Sequence, residues 1–347
     1  MSVPARMRAA VLHGQEDLRL ESVPLLAPEP GGMIVRIDTA LTCGTDLKVW
    51  RRGYHATMIT IPGILGHEAA GVVEQLGEGT VSDSAPGLAP GERVVVANSA
   101  PCGRCTYCGR GQENLCDALE YLNGMYAEYL RVPARFVHRN TWRVPEGLPL
   151  DAAALTEPRA CVVHGLSRTP VRPGDSALVI GLGPLGLLWV ALLKTAGAVV
   201  TGAGRHAPRL EAARRLGARV IEADLAGDWA RSAGRFDLVV EATGLAETWT
   251  LALHLVRKGG TVNLFGGPPK GTQATLDTNR LHYEEITVKS PFHHRPETFR
   301  AALDLLARGV VPAAPFLTDT RRLEELPDVF RGMAGAKSAV KTRIKMQ

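Results

Sequence analysis

Ala177-Leu178-Val179-Ile180-Gly181-Leu182-Gly183-Pro184-Leu185-Gly186 is the stretch that decides the fold. Its four apolar residues read as a buried strand, and 185–195 carries the pattern of a helix. Between the two stand glycines in the order G-x-G-x-x-G. In that context Gly181 allows the turn, Gly183 lets the backbone approach a pyrophosphate, and Gly186 permits close strand–helix packing. Pro184 and Leu185, at the helix entrance, complete the candidate cofactor-binding set, with the helix N-terminus facing the negative charge. A bare glycine triplet means little in a chain with 37 glycines; between a strand and a helix it reads as a dinucleotide fingerprint.

Working outward, strands are expected over 177–180, 198–201, 219–221, 236–240 and 261–265, with helices over 185–195, 209–216 and 251–256. Such alternation predicts a doubly wound parallel sheet covered by helices on both faces. Upstream, from about residue 8 to 150, short apolar runs are broken by Gly, Pro and Asp, as in 91–96 and 127–133, the pattern of a strand-rich, loop-rich domain. From about residue 291 the chain returns to mixed structure with a helix over 296–308, so the tail is expected to pack back onto the first domain.

The length of 347 residues suits two domains. Apolar residues at 45% and charged residues at 22% exclude a disordered or collagen-like chain. No apolar run approaches the roughly 20 residues of a membrane helix, and the N-terminus lacks a signal-peptide core, so a cytoplasmic location with no membrane partner is expected. The net charge of +5 is spread over the chain, and only eight of the 40 basic residues are Lys. No cluster of basic residues interleaved with aromatics is present, so no nucleic-acid partner is expected.

Four of the six cysteines crowd together as Cys102, Cys105, Cys108 and Cys116. Two-residue gaps with Gly103, Gly109 and Gly111 let successive sulfurs turn toward one centre, which points to a closed tetrahedral zinc site. An iron–sulfur cluster is the alternative for two-spaced thiolates. Cys43, His67, Glu68 and Glu157 are scattered, and each alone reads as an ordinary core residue or helix start. Together they form a set that suits a catalytic zinc with three protein ligands and one open position, Glu68 orienting the ligand shell or exchanging into it.

The second strand of the parallel sheet ends Thr201-Gly202-Ala203-Gly204-Arg205-His206, with no carboxylate before Glu211 to read a ribose hydroxyl. Gly204 is read as leaving space and Arg205 as a planar donor for a 2′-phosphate, with His206 and Arg209 as helpers. The expectation is therefore NADP over NAD, the alternative being that Arg205 stacks on adenine or lies in solvent.

Taken together, these motifs resemble the zinc-dependent medium-chain dehydrogenase/reductases, in the branch of sorbitol, threonine and glucose dehydrogenases. Cys43-Gly44-Thr45-Asp46, Gly66-His67-Glu68, the four-cysteine lobe, the segment 124–129, Glu157-Pro158 and the Gly181 fingerprint follow the family order over essentially the whole chain. The resemblance implies an α/β fold: a GroES-like β-barrel catalytic domain (1–151) completed by a return segment (291–347), beside a Rossmann domain (152–290). It implies two zinc ions per chain, the catalytic one held by Cys43, His67 and Glu157 with Glu68 near or in the shell. It further implies hydride transfer between a small-molecule alcohol or ketone and the nicotinamide, with Thr45 taking the substrate proton. Where the family has a His at the outer end of the proton path this chain has Lys48, and His55 is a nearby substitute. Polar residues around 50–55 and 292–295 are expected to line a polyol, sugar or cyclitol site, and family members are homodimers or homotetramers. Competing readings are an inactive zinc-binding regulatory or structural homologue, an NAD-dependent threonine-type amino-alcohol dehydrogenase, and a zinc-free quinone or enoyl reductase, which would lack the cysteine lobe and Cys43.

Overall fold

The computed structural model describes residues 3–55, 57–223, 229–232, 234–335 and 339–346. The chain divides into one unit made of Met1–Ala160 with His294–Gln347, and a second made of Cys161–His293. The helix Thr156–Ser167 runs through the first division, so the change of unit falls inside an element and leaves no linker for the sequence to signal.

In the second unit six strands form a wholly parallel sheet, in the order Arg219–Glu222, Val199–Gly204, Ser176–Ile180, Phe236–Glu241, Val256–Leu264, Thr287–Lys289. This is the doubly wound Rossmann order, with the reversal between the first strand and its two neighbours. The strand Ser176–Ile180 is buried almost throughout and the helix Pro184–Thr195 that follows it buries eight of its residues. Continuous apolar runs of this kind are what a sheet covered on both faces demands. The strand expected at 261–265 begins earlier, at Val256, directly after the helix Ala246–Leu255. Its pairing slips between Phe236 and Leu238, where 257–260 bulge out with Gly259 at φ +67° and Arg257 on Asp237. The glycine pair 259–260 is tolerated here because the extra residues leave the ladder.

In the first unit the strand Met33–Leu41 is central: it pairs antiparallel with Ala69–Leu76, Tyr129–Val132 and the C-terminal strand Lys341–Lys345. The sheet runs on through Arg93–Val96 to Thr141–Arg143 on one side, and through Lys341–Lys345 to Leu317–Arg322 on the other. The tail therefore completes the sheet begun by the N-terminal half, with Ile344 opposite Ala40. Met33, Val35, Ile37, Val73, Val94, Val96, Phe136, Phe330 and Ile344 share one buried core. At roughly 1.5–3 kcal/mol for each large side chain removed from water, that core is what holds the tail in place. Trp50, expected near a substrate, is instead 4% exposed and packs on Phe330 with ring centroids 6.0 Å apart, so it belongs to this core.

Candidate active site and metal centres

Cys43 is the N-cap of the helix Gly44–Arg52, and its sulfur accepts the backbone N–H of Thr45 at 3.4 Å. Residues one turn along that helix fall beside it, which brings Asp46, 2% exposed, under the same site. Asp46 Oδ1 lies 3.0 Å from His67 Nδ1, leaving His67 Nε2 to face Cys43. A carboxylate on the far nitrogen fixes the tautomer and raises the basicity of a ligating imidazole. Burial opposes charge on His67, yet Asp46 and Cys43 carry its pKa well above the ordinary histidine value. Tyr126 Oη completes the support, 2.7 Å from Asp46 Oδ2. Gly66 stands at φ +97°, and a Cβ there would sit 2.7 Å from the Tyr126 backbone nitrogen and 2.8 Å from its ring, so only glycine lets the tyrosine approach.

Donor atoms of Cys43, His67 and Glu68 all lie within 4.8 Å of one another. Sulfur, imidazole and carboxylate at that spacing are a donor set that fits zinc. Glu68, 1% exposed, is also held by Lys341, whose Nζ donates to Oε1 at 2.7 Å, to Oε2, and to the Thr42 carbonyl at 3.0 Å. Burial works against the Lys341 ammonium, but Glu68, Cys43 and Glu157 outweigh it and keep its pKa raised. Glu157, 7% exposed on the first turn of Thr156–Ser167, is not in the 4.8 Å group; its Oε1 stands 3.9 Å from His294 Nε2. The structure thus brings Glu68 to Cys43 and His67, with Glu157 set apart near His294.

Thr45 is half-buried on the first helical turn, whereas Lys48 is exposed. His55 Nδ1 accepts the backbone N–H groups of Thr57 and Met58 at 3.2 and 3.0 Å, so its Nε2 carries the proton in the neutral ring. Burial, followed by Arg52 and His67, lowers its pKa. Arg295 binds the Gly111 carbonyl and Glu297, and His294, 1% exposed, has its Nε2 2.8 Å from Asn98 Oδ1 and 3.9 Å from Glu157 Oε1; Phe292 is 54% exposed.

The sulfurs of Cys102, Cys105, Cys108 and Cys116 likewise lie within 4.8 Å of one another, and none is in a disulfide. Backbone amides point into the group: Cys102 N–H donates to Cys116 Sγ at 3.2 Å and Arg104 N–H to Cys102 Sγ at 3.5 Å. Amides of Arg104 and Cys105 hold the Cys102 thiol down at about 6, and burial pushes Cys108 up to about 12. Four thiols forced this close are stabilised by a shared cation, and the set fits a closed zinc site.

In the parallel-sheet unit, Gly181 turns at φ +95° and a Cβ at Gly186 would meet the Gly181 carbonyl oxygen at 1.8 Å, so the strand–helix contact requires glycine. Gly183 is the N-cap and Pro184 the first residue of the helix, with Leu185 next. Arg205 is exposed just beyond the second strand. Arg209 is half-buried, its Nη1 3.7 Å from where a Gly183 Cβ would sit and its Nε buried without a hydrogen-bond partner among the described residues. An orphaned guanidinium nitrogen beside a glycine-rich turn fits a phosphate. Gly204 lies close to Leu182: a Cβ there would stand 3.1–3.3 Å from that side chain.

Asp46, Tyr126 and Lys341 were not among the expected site residues. Asp46 had a signal in its place one helical turn from Cys43. Lys341, 273 positions from Glu68, had none.

Residues 29–145 match the family model of the alcohol dehydrogenase GroES-like domain, and residues 184–308 that of the zinc-binding dehydrogenases. The chain is 29% identical to sorbitol dehydrogenase of Bacillus subtilis (strain 168), covering 95% of this chain and 94% of the relative. It is similar in structure to a protein of Sinorhizobium meliloti 1021 assigned as a zinc-binding dehydrogenase and solved bound to NADP: TM-score 0.89, 30% identity, 99% of this chain and 100% of that one. It also resembles an alcohol dehydrogenase of Thermus sp. ATN1, with TM-score 0.85, 33% identity, and 98% and 99% of the two chains covered. The chain belongs to the zinc-dependent medium-chain dehydrogenases, in the sorbitol dehydrogenase-like branch, and is an oxidoreductase acting on CH–OH groups.

Proposed function

We propose that this enzyme oxidises a secondary alcohol of a polyol, sugar or cyclitol-like substrate reversibly to a ketone, with NADP as hydride acceptor and two zinc ions per chain. The observation that carries the reading is the group of Cys43, His67 and Glu68, with His67 oriented by Asp46. Cys43 and His67 would hold the catalytic zinc together with a carboxylate. Glu68 is nearest, but Lys341 engages both its oxygens, which keeps Glu157 in the reading as third ligand. Cys102, Cys105, Cys108 and Cys116 would hold the structural ion. The catalytic zinc, when bound, supplies Lewis-acid polarisation of the substrate oxygen. The polyol class is supported by relatives named sorbitol dehydrogenase and, at 28% identity, D-arabinitol dehydrogenase 1 of Uromyces fabae.

The chain's own task is to remove the substrate's proton. Thr45, two residues after Cys43, offers the hydroxyl, and Lys48 and His55 are the candidates for its outer relay. Thr45→Ala is expected to lower kcat by about 10²-fold or more, while Thr45→Ser keeps most activity. A pH–rate profile of Lys48→Ala that differs from the parent places Lys48 in the relay; an unchanged profile assigns that end to His55 or solvent. Following nicotinamide absorbance over a panel of polyols, sugars and simple primary alcohols tests the whole reading, and turnover of primary alcohols alone would sink the substrate class.

The preference for NADP is supported by Arg205 and Arg209 and by the NADP-bound relative. Arg205→Ala is expected to weaken NADP by roughly 1.5–3 kcal/mol, the range for a hydrogen bond to a charged group, and to leave NAD nearly unchanged. Cofactor kcat/KM values for parent and variant check this, and a parent that favours NAD contradicts it.

A further inference from the structure

Glu241 ends the strand Phe236–Glu241 and is fully buried, at 0% exposure. Its carboxylate is gripped by one turn: Thr243 donates from both its backbone nitrogen, at 2.6 Å, and its hydroxyl, Gly244 N–H donates at 3.1 Å, and Thr248 Oγ1 lies 2.9 Å away. So many donors converging on one carboxylate fix the turn 242–245 relative to the strand that carries it. That turn leans on two others. A Cβ at Gly181 would meet Thr243 Cγ2 at 2.6 Å, and a Cβ at Gly244 would meet the Gly267 carbonyl oxygen at 2.6 Å. The Glu241 carbonyl accepts Phe265 and Gly266 N–H at 2.9 and 2.8 Å, tying in the turn after Val256–Leu264.

Three turns at the carboxyl ends of adjacent parallel strands therefore close on one buried acid. In an open α/β sheet that edge is where a dinucleotide lies, one mononucleotide to each half of the sheet. Gly181, Arg205 and Arg209 serve the half that takes the pyrophosphate and adenosine, which leaves the turns at 242–245 and 265–267 to the nicotinamide half. Oε1 receives all four of these donors and Oε2 also receives Gly244 N–H at 3.2 Å, so an amide with its oxygen at Oε1 would set its NH₂ against the Gly244 N–H and would offer the crowded donors a neutral oxygen in place of a charged one.

We infer that Glu241 is a positioning residue for the nicotinamide half of the cofactor, acting through Thr243 and Gly244. This rests on the dinucleotide reading of the preceding section. In the zinc-loaded enzyme, Glu241→Gln is expected to weaken NADPH roughly tenfold, the effect of losing about one charge-assisted hydrogen bond, and to lower kcat. Binding of adenosine 2′,5′-bisphosphate, which lacks the nicotinamide nucleotide, should stay within about twofold, and Glu241→Asp should recover part of the loss. Thr248→Val, which removes one donor and keeps the shape, should shift NADPH in the same direction by less, and it carries the test if Glu241→Gln does not fold. Equal weakening of both compounds, or unchanged NADPH binding, overturns the inference. If the unmodified enzyme binds neither compound, the dinucleotide reading falls and takes this one with it; tight parental binding that both variants leave unchanged overturns this one alone.

Discussion

Cys43→Ser is expected to lower kcat/KM by roughly 10⁴-fold or more, since a Lewis acid contributes several kcal/mol and each 1.36 kcal/mol is a factor of ten. Serine keeps the helix N-cap, because its oxygen can accept the Thr45 N–H that Cys43 Sγ accepts at 3.4 Å, so the helix Gly44–Arg52 should persist. What is lost is the soft thiolate donor of the group with His67 and Glu68. His67 stays clamped by Asp46, and Lys341 stays on Glu68, so no buried charge is stranded by the change. Metal analysis should therefore fall from two zinc ions per chain to one, with circular dichroism and cofactor affinity unchanged. A variant that keeps both ions and full activity would remove Cys43 from the catalytic site.

Loss of the cysteine lobe's ion should act on stability instead. Cys105→Ser is expected to destabilise the chain by on the order of 5 kcal/mol, as for other losses of a structural metal, and to lower Tm by about 10–20 °C at about 2–4 °C per kcal/mol for domains of this size. Short elements alone cannot hold the lobe. Its helix Thr106–Gly109 is four residues long and buries none of them, so the proposed ion is expected to be what offsets the crowding of the sulfurs near 102–116. Differential scanning calorimetry and limited proteolysis, with cleavage appearing inside 102–116, check the outcome. Binding of NADPH, which the proposed function places in the other unit, should survive at temperatures where the lobe has opened. An unchanged Tm with one zinc ion lost would mean that the lobe is held by packing.

What was legible in the sequence is what short-range spacing encodes. The cysteines at 102, 105, 108 and 116 need only one lobe to meet, and the glycines at 181, 183 and 186 need one strand–turn–helix, so their geometry follows from local backbone preference. The alternation that predicts the parallel sheet is local in the same sense, because each buried strand and its helix carry their own pattern. The strand start at Val256, expected in a helix, and the burial of Trp50, expected near a substrate, depend on a partner strand and on Phe330, neither of which the local pattern reveals.

By itself, then, the sequence determined the two-unit architecture, the dinucleotide turn, the four-thiol lobe and the residue types of the second metal group. Only the tertiary structure decided that Lys341 closes on Glu68 across 273 positions, that Asp46 and Tyr126 orient His67, and that Glu241 ties three turns together. The reason is the cost of burying charge. An isolated buried carboxylate or ammonium is costly, so each must find a partner, but nothing in the local pattern says which distant residue the folded chain will bring to it.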